Sequence, residues 1–365
     1  MVSNISDIEK FIRRSVSFLS PTVLKPRCKS HALLAYEALF RQFLPQYRKH
    51  ESIISEYRKE KAGYDGERNV DYKLSTYPRK DFLVVQGIRL KNPPFYFQID
   101  TLILTRRFIC ILEIKNQKGT LKYDASLKQM VQEIDGKVIS YKDPILQAEA
   151  QKTHLREWLA MHGIFNVPIE ALVVIAYPST IIENVQGDPG VYNQIIHREG
   201  LHQHLERVGR NHPNHLLTNA QLKKLCRVLA DEDTPLQTDI LEKHGVSGRH
   251  LIRGIPCSKC HTYPMKRLYK NWQCQKCLAT KPKAHERVIL DHFLLHQPTV
   301  TNQECRNLLQ IDSPRTAYNI MNTMGLHKSG KNSARVYHAP PLSEFPQDSS
   351  FPFNLQNHIA KQSLD

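Results

Sequence analysis

No stretch of this sequence approaches the ~18 consecutive apolar residues of a membrane-spanning helix, and its opening residues, MVSNISDIEKFIRRS, lack the continuous apolar region of a secretory signal. The expectation is a cytoplasmic protein without a membrane span. A disulfide scaffold is not indicated either. Four of the eight cysteines form a paired cluster, and Cys28, Cys110, Cys226 and Cys305 are scattered, mostly in apolar contexts, as in a reducing compartment. Acidic residues are scarce, 35 against 51 Lys and Arg, which leaves a net charge of +16. That balance favours a polyanionic partner; nucleic acid is the simplest candidate, and an anionic membrane surface is its competitor. The remaining composition, 41% hydrophobic and 24% charged, is that of a globular protein, and 365 residues leave room for two or three domains.

The stretch Tyr96 to Thr120, YFQIDTLILTRRFICILEIKNQKGT, organises the rest. Phe95 to Leu104 is rich in aromatic and β-branched residues, Arg106 and Arg107 mark a turn, and Phe108 to Ile114 is an apolar run of strand length, suited to a strand covered on both faces. Side chains two apart on a strand share a face, so Glu113 and Lys115 point together while Ile114 faces the opposite layer. If the strands pair around Arg106 and Arg107, Asp100 is near enough to share their site. Carboxylate oxygens from two strands, with the backbone carbonyl of Ile114, bind Mg2+ or Mn2+, whose water attacks a phosphodiester while the lysine orients or deprotonates it. From these residues alone, a strand-end ion pair at a sheet edge is an equally good reading.

Two further segments add to the pattern. QIDTLILT is followed by ILEIKNQKGTL and then by DPILQAEAQ at Asp143 to Gln151, and AGYDGER at Ala62 to Arg68 precedes them. In this order they resemble the nuclease-related domain (NERD) family, a branch of the PD-(D/E)xK nuclease superfamily, over about Ala62 to Pro178. The resemblance implies that Asp100, Glu113 and Lys115 are catalytic, that Glu67 is the acid of the first helix, and that Gln147 belongs to the site from the helix after the strands. One departure is that the superfamily's loosely kept proline before the aspartate is replaced by Ile99.

Around this core the chain reads as follows. Ser30 caps a helical pattern through Leu44, and His50-ESIISEYRKEKA resumes it, giving helices expected to pack on the outside of the next domain. Gly66-ERNVDYKLSTY is expected to begin a helix with Glu67 in its first turn, and Phe82-LVVQGIRL a strand. Gly119-TLKYD and Lys137-VISY read as hairpin strands around the turn dipeptide Asp135-Gly136. Ile145 to Leu159 is an amphipathic helix, and Ala171-LVVIAYP a buried strand stopped by Pro178. Gln147 and Gln151 lie one helical turn apart; Gln151 is expected on the solvated surface. His197, His202, His204, His212 and His215 have irregular spacing with no completing ligand, and read as solvated or nucleic-acid-facing. Thr218-NAQLKKLCRVLADED is a capped helix, and Asp231-EDTP a linker.

Cys257-SKC-260 and Cys274-QKC-277, separated by HTYPMKRLYKNWQ, have the spacing of a zinc ribbon in which four thiolates hold one Zn2+ tetrahedrally. A closed four-cysteine set has no position for a reacting water, so this zinc is structural. From Ala284 come a helix to Leu295, a capped helix over Thr299-VTNQECRNLLQI, a third over Asp312 to Met324, and a basic strand, Gly turn and strand from Leu326. Three helices and a basic hairpin resemble a winged helix whose third helix enters a groove while the hairpin touches the backbone, with Arg315, Lys328, Lys331 and Arg335 the candidate nucleic-acid contacts. A helical interaction module is the other reading. Between Lys243 and His338, nine Lys and seven Arg stand against Glu286, Asp291, Glu304 and Asp312, a net +12, three quarters of the whole.

The expected fold class is α/β, a PD-(D/E)xK-type mixed sheet flanked by helices. The expected domains are a helical segment (1–61), a nuclease-like core (62–200), a helical connector (201–253), a zinc ribbon (254–280), a winged-helix-like module (281–340) and a flexible tail (341–365). The leading functional reading is a Mg2+- or Mn2+-dependent nuclease acting on DNA. A catalytically silent DNA-binding or scaffolding protein is the alternative from another class, and an RNA-directed enzyme the third. Retention of Asp100, Glu113 and Lys115 together favours the first.

Overall fold

The computed structural model describes residues 21–348. The beginning of the helical segment expected at 1–61 and the tail from 349 onward lie outside the described residues. By its internal contacts the chain divides into two compact units, one of residues 21–27 with 61–235 and one of residues 28–60 with 236–348.

The first unit is built on a six-stranded mixed sheet. Its strands are β1 (Thr22–Lys25), β2 (Leu83–Asn92), β3 (Phe95–Leu104), β4 (Ile109–Lys115), β8 (Ile169–Ile175) and β10 (Ile195–His197), in that spatial order. β2, β3 and β4 form an antiparallel meander, while β1, β8 and β10 each join by parallel pairing. Both faces are covered. Leu155, Trp158 and Leu159 of the helix Pro144–Met161, with Leu222, Leu225 and Leu229 of the helix Asn219–Glu232, pack on Leu102, Leu104, Ile109 and Ile111. On the other face, Val70 and Leu74 of the helix Glu51–Ser75, with Leu201, Leu205 and Val208 of the helix Leu201–Asn211, pack on Ile103, Cys110 and Leu112. Each such fully buried aliphatic or aromatic side chain contributes about 1.5–3 kcal/mol, and alternation along β4 explains why its apolar run is continuous.

A smaller sheet is made of β5 (Thr120–Asp124), β6 (Gln129–Ile134), β7 (Lys137–Lys142) and β9 (Ile181–Asn184), ordered β7-β6-β5-β9. The Asp135-Gly136 turn therefore joins β6 to β7, with β6 between the two segments expected to pair directly.

Three differences from the sequence reading bear on function. β1 occupies part of the segment expected to be helical; its partner β2, not its four-residue pattern, makes it a strand. The helix carrying Glu67 does not begin at Gly66 but runs unbroken through Gly63 and Gly66, so Glu67 lies deep inside it. Gly66 is there for close approach: a Cβ at that position would sit 2.3 Å from Asn116 Cβ. The helices Leu201–Asn211 and Asn219–Glu232, expected as a connector, supply core to this unit.

In the second unit the helix His31–Gln42 is capped by Ser30, which accepts from Leu33 N. A small sheet follows, of β11 (Lys266–Arg267), β12 (Trp272–Gln273) and β13 (Thr280–Lys281). Then come the helix Ala284–Leu295, β14 (Thr299–Thr301), the helices Asn302–Leu309 and Pro314–Thr323, β15 (Lys328–Ser329) and β16 (Val336–His338). β14 was expected to be the start of a helix; that helix begins only at Asn302, capped by Thr301, because Thr299–Thr301 pairs with β16. The three strands form an antiparallel sheet in the order β14-β16-β15.

Candidate functional site

The antiparallel pairing of β3 with β4 runs from Leu104↔Ile109 to Thr101↔Leu112 and stops there. β3 continues beside β2 to Phe95↔Asn92, and β4 continues beside β8 to Lys115↔Ile175. The two strands part between Asp100 and Glu113, leaving a fork in the sheet. The Ile114 amide faces into it and donates to Asp100 Oδ2 at 2.9 Å. The Lys115 carbonyl turns the other way and accepts from Ala176 N at 2.8 Å. Since an extended residue directs its N–H and C=O to the same side, the Ile114 carbonyl also faces the fork.

Glu113 is buried and held at both oxygens. Lys115 Nζ donates to Oε1 and Gln151 Nε2 to Oε2, each at 2.6 Å. Lys115 also donates to Gln147 Oε1 at 2.9 Å. The helix that carries both glutamines is fixed at its start by Asp143, whose Oδ1 caps Ile145 N and Leu146 N, and whose Oδ2 accepts from the Tyr123 hydroxyl. Gln151 is thus a correction: expected on the solvated surface, it is buried against Glu113 because its side of the helix faces the sheet.

From the opposite layer, Glu67 and Asp71 converge on Arg27, a residue that sequence reasoning missed. The Arg27 side chain is only 5% exposed. Its guanidinium donates to Glu67 Oε2, to Asp71 at 2.6 and 3.1 Å, and to the Asp100 carbonyl and Thr101 Oγ1, both at 2.8 Å. No local periodicity marks it; Arg27 lies two residues past the end of β1, which brings it to the sheet. Burial, followed by the negative charges of Glu113 and Glu67, pushes the Asp100 carboxyl well above the usual carboxylate range. Burial raises Glu67 as well, with Arg27 pulling against it.

The donor set at the fork is hard oxygen, as a Mg2+ or Mn2+ site requires. The buried Gln151 Oε1 beside it has no hydrogen-bond partner among the described residues, so the fork contains unspent acceptor capacity. Glu67, Asp100 and Glu113 do not close into a tight triple, however. Among the described residues, Cys257, Cys260, Cys274 and Cys277 are the one group of three or more candidate ligands whose atoms lie within 4.8 Å of one another. Their thiols fit zinc. Thiolates about 2.3 Å from a tetrahedral Zn2+ lie about 3.8 Å apart, and Cys257–Cys277 and Cys260–Cys274 are 3.6 and 3.4 Å apart. Backbone amides of Lys259, Lys276 and Cys277 point at Cys257 and Cys274 sulfur, the turn expected of each C-x-x-C knuckle.

Of the four expected nucleic-acid contacts, Arg315 and Arg335 converge on the Tyr318 ring, at 5.7 and 5.5 Å from its centroid. Lys328, the first residue of β15, and Lys331, in the turn before β16, are exposed. Among the histidines, His212 is paired with Glu170 at 2.6 Å, and His202 meets the Lys73 carbonyl at 2.8 Å, so these two have structural partners.

Residues 62–176, which hold the fork and both of its flanking helical segments, match the family model of the nuclease-related domain, NERD. No curated protein matches the chain. Among solved structures, the crystal structure of protein VC1899 from Vibrio cholerae is similar at 12% identity and a TM-score of 0.25, over 50% of each chain, too remote to support an argument. Among the described residues no helix is long and apolar enough to cross a membrane.

Proposed function

We propose that this protein is a metal-dependent nuclease that cuts DNA phosphodiester bonds at the β3–β4 fork and grips nucleic acid with its basic carboxy-terminal modules. The observation that carries the reading is the fork: Asp100, Glu113, the Ile114 carbonyl and Lys115 meet where two strands part, inside a segment that matches a nuclease-related family. Asp100, Glu113 and the Ile114 carbonyl would hold Mg2+ or Mn2+, which when bound supplies an acidified water and stabilises charge on the phosphate. Lys115, steadied by Glu113 and Gln147, faces the same space and is the group to orient that water or to meet developing charge. Gln151 fixes the Glu113 carboxylate. Glu67 contributes from the helix with one oxygen committed to Arg27.

Cys257, Cys260, Cys274 and Cys277 are read as a closed, structural Zn2+ site. The helix–strand–helix–helix–strand–strand order from Ala284 supports a winged-helix-like module in which Arg315, Lys328, Lys331 and Arg335 meet phosphates. A cysteine complement made of one four-thiol cluster and scattered thiols in mostly apolar contexts supports a cytoplasmic setting.

The test is to incubate the full-length protein with labelled linear, circular and single-stranded DNA, and with RNA, each in Mg2+, Mn2+ or EDTA. Cleavage of DNA with metal and none in EDTA is expected. Cutting of RNA alone would move the substrate class. No cutting of any substrate would leave a catalytically silent DNA-binding or scaffolding protein.

A further inference from the structure

Past the fork, β2 and β3 run on together as a two-stranded ribbon. Gln86↔Thr101 and Ile88↔Ile99 bracket Gly87 against Asp100; the next rungs on that side are Arg89↔Gln98 and Lys91↔Tyr96. Alternate residues of a strand share a face, and burial follows that rule: Phe97 and Ile99 are covered, while Tyr96 and Gln98 are exposed. Tyr96, Gln98 and Asp100 therefore form one stripe leading away from the acids, with Arg89 and Lys91 beside it. Gly87, at φ +63°, leaves the rung next to Asp100 without a side chain.

The far end of the stripe is fixed in place. The Arg89 guanidinium lies 4.0 Å from the Tyr96 ring centroid, and Arg89 Nη1 donates to the Thr234 carbonyl at 3.0 Å. Tyr96 nonetheless keeps 43% of its surface exposed. A ring braced by a pinned guanidinium, with the Lys91 ammonium 5.9 Å from its centroid and much of its surface exposed, is a stacking platform beside cationic charge, and four residues of strand put it roughly 13 Å from Asp100. A base inside a duplex has both faces occupied by its neighbours and cannot stack on a side chain without leaving the stack, whereas the bases of a single strand are free to do so.

We propose that the open face of the β2–β3 ribbon carries an unpaired stretch of nucleic acid away from the fork, with a base stacked on Tyr96 and phosphates meeting Arg89 and Lys91. This rests on the nuclease reading of the fork and names its substrate class: a single strand, or a duplex with an unpaired end, rather than continuous duplex.

Binding of a labelled single strand and of a blunt duplex of the same sequence is measured by fluorescence anisotropy, with full-length protein in EDTA. Tyr96→Ala should weaken single-strand binding about tenfold and duplex binding by less than about twofold, the loss of one stacked base, while Tyr96→Phe keeps the affinity. Arg89→Ala with Lys91→Ala should flatten the salt dependence on the single strand by up to about 0.7 per contact. A single strand carrying 5-iodouracil should crosslink to the ribbon, as mapped by mass spectrometry. Unchanged single-strand affinity in Tyr96→Ala, or equal losses on both substrates, overturns the proposal. Because no cleavage is read, a protein that binds in this way but never cuts refutes the nuclease reading alone, and one that cuts while Tyr96→Ala binds normally refutes this inference alone.

Discussion

The acid fork of the first unit and the thiol cluster of the second are both candidate metal sites, and they differ in how complete they are. The four cysteines present matched soft ligands within 4.8 Å of one another, enough to fill a tetrahedral shell and leave no position for a reactant. At the fork two carboxylates and a carbonyl stand at the end of parted strands, with Lys115 and Arg27 holding part of the negative charge. Such a shell is left to be completed by water and substrate, as Mg2+ tolerates. The complete site suits holding a fold together; the incomplete one suits chemistry.

The sharpest way to break this contrast is to remove one ligand from each site. Cys274→Ser should release the zinc and unfold the ribbon, since structural zinc supplies on the order of 10 kcal/mol of folding energy, yet metal-dependent cleavage should survive on substrates small enough not to need the grip. Asp100→Ala should do the reverse, dropping cleavage at least about a thousandfold with the fold and zinc content intact. Elemental analysis and cleavage rates on both variants decide; zinc-free wild-type protein, prepared without chelator, or full activity in Asp100→Ala would each remove one side of the comparison.

A smaller effect is expected from charge. Replacing Arg315, Lys328, Lys331 and Arg335 together by Ala should lower the slope of log affinity against log salt on a duplex by up to about 0.9 per contact, without altering Mn2+ dependence. An unchanged slope would favour partner binding as the role of that module.

The smallest is a difference in response to acid. His285 accepts the Trp272 indole N–H at 3.0 Å and is buried; burial first, then Arg267, pushes its pKa down to about 4. A histidine kept neutral in the fold is protonated first in the unfolded chain, so stability falls as pH drops from about 6.5 toward 4, by on the order of 3 kcal/mol. Asp100 has the opposite sign: its raised carboxyl favours the folded state as pH falls and loses that advantage as pH rises. Trp158 and Trp272, one in each unit, report separately. In Trp158→Phe, the Trp272 unfolding midpoint should fall on acidification, and His285→Gln should flatten that fall.

The site was legible where local rules govern it. That Asp100 lies near Glu113 and Lys115 follows from strand alternation and one turn, whereas Gln147 is expected there only through the family resemblance, its helix position alone being that of a solvated residue. Gln151 was misplaced because a weakly amphipathic helix does not declare which of its polar residues faces a buried acid. Glu67 was put at a helix start because two glycines resemble a boundary, whereas Gly66 serves contact with Asn116. Arg27 was out of reach: β1 has four residues and is a strand only through pairing with β2. The same holds for β14, whose partner is 35 or more residues downstream.

That short strand also decides what could be cut out or transplanted. The family match begins at residue 62, but β1 covers one edge of β2, Arg27 neutralises Glu67 and Asp71, and the helices Leu201–Asn211 and Asn219–Glu232 close both faces of the sheet. A fragment trimmed to residues 62–176 would have a bare hydrogen-bonding edge, two uncompensated carboxylates and uncovered leucine-binding surface, the ingredients of aggregation. The segment that matches the family model is therefore smaller than the unit of folding, and a portable version of this nuclease-related core would have to be assembled from pieces that are far apart in the chain.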